Sequence, residues 1–195
     1  MNNFKALTSI PLSEVKTLKV DDVVEPLELE SPATFVMTDF SRRSPRIIDA
    51  DTSIDESISI MNKIHVRSKL VVDQNLNLIG IVNLADLLSR KVLMTANQKG
   101  VKRADILVTD VMVKVGELHA VKLQKIQSSN IGDVLATMRN LGEQHLLVYD
   151  NDKHIRGVIS AVDIGRALRI PVDINATAHS FKDIFNVIHE HTELG

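Results

Sequence analysis

The fold is decided by a stretch that occurs twice: LVVDQNLNLIGIVNLAD at residues 70–86 and LVYDNDKHIRGVISAVD at residues 147–163. Extended outward without a gap, the match places residues 49–91 on residues 126–168. Seven positions are identical, and many others exchange one aliphatic residue for another. A chain that contains the same segment twice indicates two copies of one structural unit.

Each copy predicts the same order of elements. Apolar residues at helical spacing begin at Ile54 and Ile131, directly after Ser53 and Asn130, which are typical N-cap residues. Two short runs rich in aliphatic residues follow, separated by turns rich in Asp and Asn. A second helix is predicted to begin near residue 84 or 161, with residues 87, 88 and 92 on the apolar face of the first copy.

Short extended pieces precede each copy, at residues 46–48 and 120–123, and a Val-Met pair precedes each of these pieces. The predicted fold class is therefore α+β, with two tandem β-α-β-β-α units that pack against each other, an N-terminal arm and a C-terminal helix. We expect an arm over residues 1–33, a first repeat over 34–92, a connector over 93–110, a second repeat over 111–170 and a tail over 171–195. In the tail, Ser180 would cap an amphipathic helix that presents Phe181, Ile184, Phe185 and Ile188 on one face.

Composition excludes several classes of protein. The 195 residues are 44% hydrophobic and 25% charged, with a formal net charge of −2, which is typical of a globular chain. Without cysteine there are no disulfides and no thiolate metal sites or nucleophiles. Only 3% of residues are aromatic and no long basic block occurs, which disfavours nucleic acid as a partner. No secretory signal or membrane-spanning run is present, so we expect a cytoplasmic protein with no membrane partner.

The candidate site is the turn from strand to helix at residues 157–163, echoed at residues 80–86. A glycine on the strand permits close approach to its backbone, and Ser160 and Asp163 share one face of a helix start. Such a pair could hold the hydroxyl groups of a polyol, while free N–H groups at the helix start favour an anion. The same spacing is typical of a helix cap, and the residues alone leave both interpretations open.

The duplicated unit resembles the CBS domain, named after cystathionine β-synthase, and the chain resembles a tandem CBS pair over about residues 34–170. The resemblance rests on the Val-Met pieces, the helix stripes, the strands that end in Asp, and the turns from Gly to Asp. The adenosyl-ligand motif of that family is Gly, apolar, any, Thr or Ser, two of any kind, then Asp. The second repeat matches this motif completely with Gly157, Val158, Ser160 and Asp163.

The first repeat has Gly80 and Asp86 but carries Asn83 where the family has Thr or Ser. The resemblance implies that the Asp holds ribose hydroxyls and that the Ser contacts ribose or phosphate. It also implies two slots for a base, one bordered by Met112, Val113 and Lys114 and the other by Met37, Thr38 and Ile47. Cations for a phosphate are offered by Arg46, Lys122 and Arg166, of which Arg166 is best placed.

By this resemblance we expect a regulatory module, and not an enzyme, that senses an adenine-containing ligand: AMP, ATP, NAD or S-adenosylmethionine. No cofactor is required, and the signal would pass to an unidentified regulated protein or through self-association, with a homodimer expected. The alternative is a structural or protein-interaction CBS pair that has no physiological ligand. An enzyme acting on a nucleotide would need a general base or nucleophile, which the sequence does not reveal.

The seven histidines do not show the spacing of a metal site, so no bound metal is expected. His145 opens the inner strand of the second repeat and could line a cavity or serve the structure alone.

Overall fold

A computed structural model describes residues 7–14, 26–172 and 174 of the chain. Within these residues eight strands form two sheets: β1 (Met37–Asp39), β2 (Ile47–Asp49), β3 (Ser68–Val72), β4 (Leu78–Asn83), β5 (Val113–Lys114), β6 (Ala120–Lys122), β7 (His145–Tyr149) and β8 (Ile155–Ser160). The helices are α1 (Ile54–Lys63), α2 (Leu84–Leu87), α3 (Arg90–Lys99), α4 (Leu123–Gln127), α5 (Ile131–Leu141) and α6 (Ala161–Leu168).

Each repeat builds three strands of one sheet in the predicted way. β2 lies parallel to β3, which forms an antiparallel hairpin with β4, and β6, β7 and β8 repeat this arrangement. The fourth strand of each sheet comes from the other half of the chain, because β1 pairs with β8 and β5 pairs with β4. The predicted α+β fold of two tandem units is confirmed, and we call β1 and β5 the exchanged strands.

The two strand glycines make this exchange sterically feasible. A Cβ at Gly157 would lie 2.6 Å from the carbonyl oxygen of Thr38 on β1. A Cβ at Gly80 would lie 2.5 Å from the carbonyl oxygen of Val113 on β5. Real Cβ atoms do not approach backbone oxygen so closely, and glycine on a strand commonly marks such a contact. The close approach expected at these glycines is thus made by the exchanged strands.

The helix starts follow the caps that the sequence predicts. The Ser53 hydroxyl accepts a hydrogen bond from the Glu56 N–H at 3.3 Å, and the Asn130 side chain accepts one from the Asp133 N–H at 2.8 Å. The Asp133 carboxylate in turn accepts the Asn130 N–H at 3.1 Å, which completes a capping box. These bonds satisfy N–H groups that have no partner inside a helix.

Three local expectations are corrected. The second helix of the first repeat stops at α2, and Leu88, which was expected on its apolar face, is 63% exposed. Ser89 then caps a separate helix, α3, because its hydroxyl accepts the Lys91 N–H at 3.2 Å. α3 extends to Lys99 and so occupies part of the expected connector. Leu123, expected at the end of an extended piece, begins the short helix α4.

Each repeat has its own apolar core, and the exchanged segments contribute to the core of the opposite repeat. Ala33 and Val36, which precede β1, are buried with Ile131 and Met138 of the second repeat. Ile106, Val108 and Val111, which precede β5, are buried with the core of the first repeat. A third cluster joins the two repeats and centres on Leu70, Ile81 and Leu147. The repeats are therefore connected by backbone pairing as well as by apolar packing.

The predicted amphipathic helix at residues 180–188 lies outside the described residues. No helix in the described part of the chain is both long and apolar enough to cross a lipid bilayer.

Candidate ligand-binding cleft between the repeats

A cleft of about 370 Å³ opens between the two repeats. Three parts of the chain form its walls. Residues 38–46 contribute Thr38, Phe40, Arg43, Ser44 and Arg46; β3 and β4 contribute Ser68, Lys69, Leu70 and Ile81; β7, β8 and α6 contribute His145, Val158, Ser160, Asp163 and Arg166. Because both repeats supply walls, a molecule bound here would contact both of them.

Ser160 and Asp163 meet at the start of α6. The Ser160 hydroxyl accepts the Asp163 N–H at 3.1 Å and donates to the Asp163 carboxylate at 2.6 Å. Arg166, one turn further along α6, donates to the same carboxylate at 3.1 Å. The Asp163 side chain remains 39% exposed, so its oxygens are accessible from the cleft. Helix capping and orientation toward a cavity therefore coexist at this pair.

The equivalent residues of the first repeat are arranged differently. The Asn83 side chain donates to the Asp86 carboxylate at 3.1 Å but makes no side-chain cap at the start of α2. Neither residue lines the cleft. Asn83 thus makes a hydrogen bond to its carboxylate, as Ser160 does, but its side chain does not cap the helix that follows.

The exchange of strands decides which predicted site residues come together. Six of them line the cleft: Thr38, Arg46, Val158, Ser160, Asp163 and Arg166. Gly157 lies beneath β1, where it permits the pairing that places Thr38 in the cleft. The remaining nine lie outside its walls: Met37, Ile47, Gly80, Asn83, Asp86, Met112, Val113, Lys114 and Lys122.

Met112, Val113 and Lys114 lie instead against β4, where Gly80 pairs with Lys114. The sequence analysis placed each segment with the repeat that directly follows it, within residues 34–92 and 111–170. In the structure, residues 38–46 accompany the Ser160–Asp163 pair, and residues 112–114 accompany Gly80 of the first repeat.

The cleft carries an excess of positive charge. Its lining includes Arg43, Arg46, Lys69 and Arg166 but a single carboxylate, Asp163. Arg166 is paired with that carboxylate, and the Lys69 ammonium donates to the Ile47 carbonyl at 2.6 Å. Burial lowers the pKa of Lys69, and the nearby Asp49 carboxylate partly opposes that effect. Among the described residues, the Arg43 and Arg46 side chains have no ion pair or hydrogen bond, so they are available to an anion.

His145 forms part of the cleft wall and is 8% exposed. Burial lowers its pKa to about 4, although the carboxylates of Asp163, Asp86 and Glu143 each act in the opposite direction. The imidazole is therefore neutral at neutral pH and supplies a donor and an acceptor without adding charge. Of the two roles left open by the sequence, the structure shows that His145 lines the cavity.

Seven further lining residues were not predicted from the sequence: Phe40, Arg43, Ser44, Ser68, Lys69, Leu70 and Ile81. Residues 40–46 fall outside the repeated stretch, so comparing the two copies does not single them out. The available signal was the basic run SRRSPR at residues 41–46, which holds three arginines. The segment that follows β5 differs in charge, since it reads VGELH at residues 115–119 and contains Glu117.

One group of potential metal ligands occurs among the described residues, and it lies away from the cleft. Ligand atoms of Asp150, Asp152 and His154 lie within 4.8 Å of one another in the turn between β7 and β8. The spacing of the histidines did not indicate a metal site, whereas the structure places two carboxylates beside His154. The Asp150 carboxylate already accepts the N–H groups of Asp152 and His154, at 3.0 and 2.9 Å, which is typical of a residue that forms a turn.

The chain has the architecture of a paired-repeat protein. Each of its two β-α-β-β-α repeats receives one strand from the other half of the chain, and both repeats line one cleft. The sequence model of the CBS domain matches residues 37–92 and 127–170, which together make up more than half of the chain. The chain therefore belongs to the CBS domain family, and the resemblance seen in the sequence is confirmed. No curated protein sequence matches it.

Solved structures show the same fold. An uncharacterized conserved protein from Pyrococcus horikoshii superposes with a TM-score of 0.54 at 22% identity, over 78% of this chain and 100% of that one. CBSX2 in complex with AMP, a CBS-pair protein of Arabidopsis thaliana, gives 0.51 at 24% identity, over 70% and 95%. A hemolysin-like protein containing a CBS domain from Oenococcus oeni gives 0.52 at 18% identity, over 72% and 91%. At these identities the likeness concerns the fold alone.

Proposed function

We propose that this chain is a non-catalytic regulatory module that binds one anionic adenine nucleotide in the cleft between its repeats. The observation that carries the proposal is that one cleft holds the Ser160–Asp163 pair together with two arginines that lack partners among the described residues. A carboxylate suits the two neighbouring hydroxyls of a ribose, and guanidinium groups suit phosphate. The cleft volume of about 370 Å³ lies in the range of small-molecule sites.

The charge of the cleft distinguishes among the candidate ligands. AMP, ATP and NAD carry negative phosphates, whereas S-adenosylmethionine carries a positive sulfonium. Arg43 and Arg46 would attract the phosphates and repel the sulfonium in a partly desolvated site, where Coulomb interactions are stronger than in water. We therefore favour a phosphate-bearing adenine nucleotide over S-adenosylmethionine. The related structure of CBSX2, which contains AMP, supports the same choice.

One nucleotide per chain is expected because the two copies of the motif differ. The Asn83–Asp86 pair lies outside the cleft, and the segment after β5 contains Glu117 in place of the arginines that follow β1. A carboxylate near a phosphate site repels the ligand. The first-repeat motif thus lacks both the hydroxyl and the two arginines that the second-repeat site offers.

Binding in this cleft would act as a signal because the ligand contacts both repeats. A ligand shifts an equilibrium between two arrangements only as far as it binds one of them better. Residues 38–46, β3 and α6 approach the cleft from different parts of the chain, so their relative placement changes the fit to the nucleotide. The output passes to a partner protein or through self-association.

A structural module without a physiological ligand is the alternative, and one observation favours it. The Asp163 carboxylate already has bonds to Ser160 and Arg166, so it is satisfied without a ligand.

Catalysis is not part of either proposal. Ser160 and His145 both line the cleft, but the Ser160 hydroxyl bonds to Asp163 at the helix cap, and no hydrogen bond joins it to His145.

Thermal unfolding with a ligand panel tests the proposal. AMP, ADP, ATP, NAD and S-adenosylmethionine would each be added to wild type and to the matched variants Asp163→Asn and Asp86→Asn. A nucleotide at one hundred times its dissociation constant stabilises the folded state by about 2.7 kcal/mol. We expect stabilisation by phosphate-bearing nucleotides that is lost in Asp163→Asn and kept in Asp86→Asn.

Absence of any shift in the wild type would support the structural alternative. Equal shifts in the two variants would place the site elsewhere. Steady turnover of ATP or NAD that disappears in Asp163→Asn would contradict the non-catalytic part of the proposal.

A further inference from the structure

A second depression adjoins the cleft and shares part of its wall. This groove has a volume of about 650 Å³, and Thr38 and Arg43 line both cavities. Residues 34–43 supply most of its lining, and Leu123, Gln127 and Arg156 supply the rest. Apart from the shared Thr38 and Arg43, no residue of this groove lines the proposed nucleotide site.

The groove is basic although the whole chain is slightly acidic. Arg42, Arg43 and Arg156 line it together with one carboxylate, Asp39, whereas the formal net charge of the chain is −2. The Arg42 side chain is 86% exposed, so it extends into solvent. An anionic partner would therefore find here a local excess of positive charge.

Asp39 organises these arginines. Its carboxylate accepts the N–H and the hydroxyl of Ser41, at 2.9 and 2.8 Å. The Arg156 guanidinium lies 3.4 Å from it, and that of Arg42 lies 3.9 Å from it. The bond from the Ser41 N–H does most to lower the pKa of Asp39, so the carboxylate stays ionised. Both arginines lie beside the same carboxylate, and neither side chain donates a hydrogen bond to another described residue.

The groove also has an apolar side. Phe35 is 64% exposed, although large aromatic side chains are usually mostly covered in folded proteins. The partly buried side chains of Met37 and Leu123 lie in the same lining. Aromatic and arginine side chains together are characteristic of the central residues of protein interfaces.

We propose that this groove is the docking surface for an acidic segment of a partner protein, with an apolar side chain of that segment seated against Phe35. We further infer that Arg43 is shared between the two cavities, so that nucleotide and partner weaken each other's binding. A phosphate in the cleft that recruits the Arg43 guanidinium removes one cation from the groove. This second step rests on the proposed nucleotide site, whereas docking in the groove does not.

A peptide suits the groove better than a nucleic acid. Asp39 lies within the lining and would repel closely spaced phosphates, whereas the carboxylates of a peptide can be spaced to avoid it. Among the lining residues of the groove, Phe35 is alone in offering a ring on which a base could stack. Single-stranded nucleic acids are usually bound on several aromatic rings.

Fluorescence anisotropy with a labelled peptide of sequence EEDFEDEE measures docking. Full-length wild type would be compared with Arg42→Gln, Phe35→Ser and the control Arg90→Gln, which changes an exposed arginine of α3 that lines neither cavity. We expect Arg42→Gln to bind about tenfold more weakly, since one charge-assisted hydrogen bond is worth about that factor. Phe35→Ser should also bind more weakly because it loses apolar contact area, and the control should match wild type. The lysine peptide KKKFKKKK should not bind.

Two outcomes overturn the docking surface: equal affinity of the acidic peptide for the groove variants and the Arg90→Gln control, or no measurable binding to the wild type. Tighter binding of a twelve-residue oligothymidine than of the peptide overturns it in favour of nucleic acid. Unfolding midpoints of all variants establish that the comparison is made between folded proteins.

Repeating the peptide titration with saturating ATP measures the coupling. We expect the affinity for the peptide to fall about fivefold to tenfold, and the affinity for ATP to fall by the same factor when peptide is present, because such coupling is reciprocal. In Arg43→Gln the peptide should bind more weakly, and ATP should no longer change its affinity.

The possible failures are distinguishable. If ATP does not stabilise the protein, the proposed nucleotide site fails while the peptide titration still decides the groove. If both ligands bind and neither changes the affinity of the other, the sharing of Arg43 is overturned and the two sites stand as independent.

Discussion

Asp163 and Asp86 hold the same place in the two repeats, yet their neighbours give them different chemistry. Asp163 is bonded to a serine hydroxyl and an arginine and lines a basic cleft, whereas Asp86 is bonded to an asparagine amide and does not line that cleft. The two N-cap residues, Ser160 and Asn83, differ, and the surroundings of the two carboxylates differ as well. At the scale of single residues, the motif identifies the carboxylates, and their neighbours determine what each can bind.

His145 provides a prediction at this scale. Because its pKa in the folded protein, about 4, lies below its ordinary value of 6.5, the unfolded chain binds more protons between these pH values. The free energy of unfolding should therefore decrease as the pH is lowered from 6.5 to 4. At about 1.4 kcal/mol per pH unit, the loss from this one group is on the order of 3 kcal/mol.

Urea denaturation at several pH values checks this expectation. His145→Asn should flatten the dependence between pH 6.5 and 4, and the control His154→Asn, at a side chain 81% exposed, should leave it unchanged. A slope equal to wild type in His145→Asn would show that the imidazole is not buried in its neutral form.

At the scale of elements, the exchanged strands explain why glycine is found at the same place in both copies. The space above each glycine is filled by backbone and by a methionine side chain of the opposite half: Met37 over Gly157 and Met112 over Gly80. The exchange also moves Thr38 beside Val158 on β8 and thereby brings residues 38–46 to the Ser160–Asp163 pair. The candidate site is thus a consequence of strand pairing between sequence-distant segments.

Gly157→Ala should displace β1 from β8 because the added Cβ meets the Thr38 carbonyl oxygen at 2.6 Å. Overpacking of this kind costs about 1–3 kcal/mol, so the free energy of unfolding should fall by that amount. Gly116→Ala is the control, since a Cβ there meets nothing within 4 Å.

Urea denaturation measures the stability of both glycine variants, and ATP titration measures the cleft. Nucleotide binding should be weaker in Gly157→Ala and unchanged in Gly116→Ala. Equal stabilities of the two variants would contradict the close contact between β1 and β8.

At the scale of the whole molecule, the two repeats are joined by strand exchange and by a shared apolar cluster. Each sheet contains a strand from the other half of the chain, and the cluster around Leu70, Ile81 and Leu147 joins the sheets. Losing one repeat would leave the other with a missing strand and an exposed apolar face. Unfolding should therefore be a single transition.

Tyr149, which is the one tyrosine in a chain without tryptophan, reports on the second repeat by its fluorescence. Ile54→Ala removes a buried side chain, 1% exposed, from the core of the first repeat and should cost about 2–5 kcal/mol. The urea midpoint followed by Tyr149 should fall together with the midpoint followed by circular dichroism. A Tyr149 transition that remains at the wild-type midpoint would show that the repeats unfold independently.

Much of this architecture is predictable from local patterns. Ser53 and Asn130 mark helix starts, and the repeated stretch predicts the hairpins, because caps, stripes and turns are encoded by neighbouring residues. The exchange of β1 and β5 is not encoded locally, since it depends on pairing between segments that are distant in sequence: 122 residues separate Met37 from Ile159, and 34 separate Gly80 from Lys114. Arg43 and Lys69 were not predicted to line the cleft because the cleft, too, is formed by segments that are distant in sequence.

The central claim is that one adenine nucleotide binds per chain, in the cleft at Ser160 and Asp163. Isothermal titration calorimetry with ATP tests it most directly, because the experiment yields stoichiometry and affinity together. We expect one site per chain in wild type and Asp86→Asn, and an affinity at least about tenfold weaker in Asp163→Asn, where a charged hydrogen-bond acceptor is lost. Two sites per chain, no heat of binding in wild type, or unchanged affinity in Asp163→Asn would contradict it.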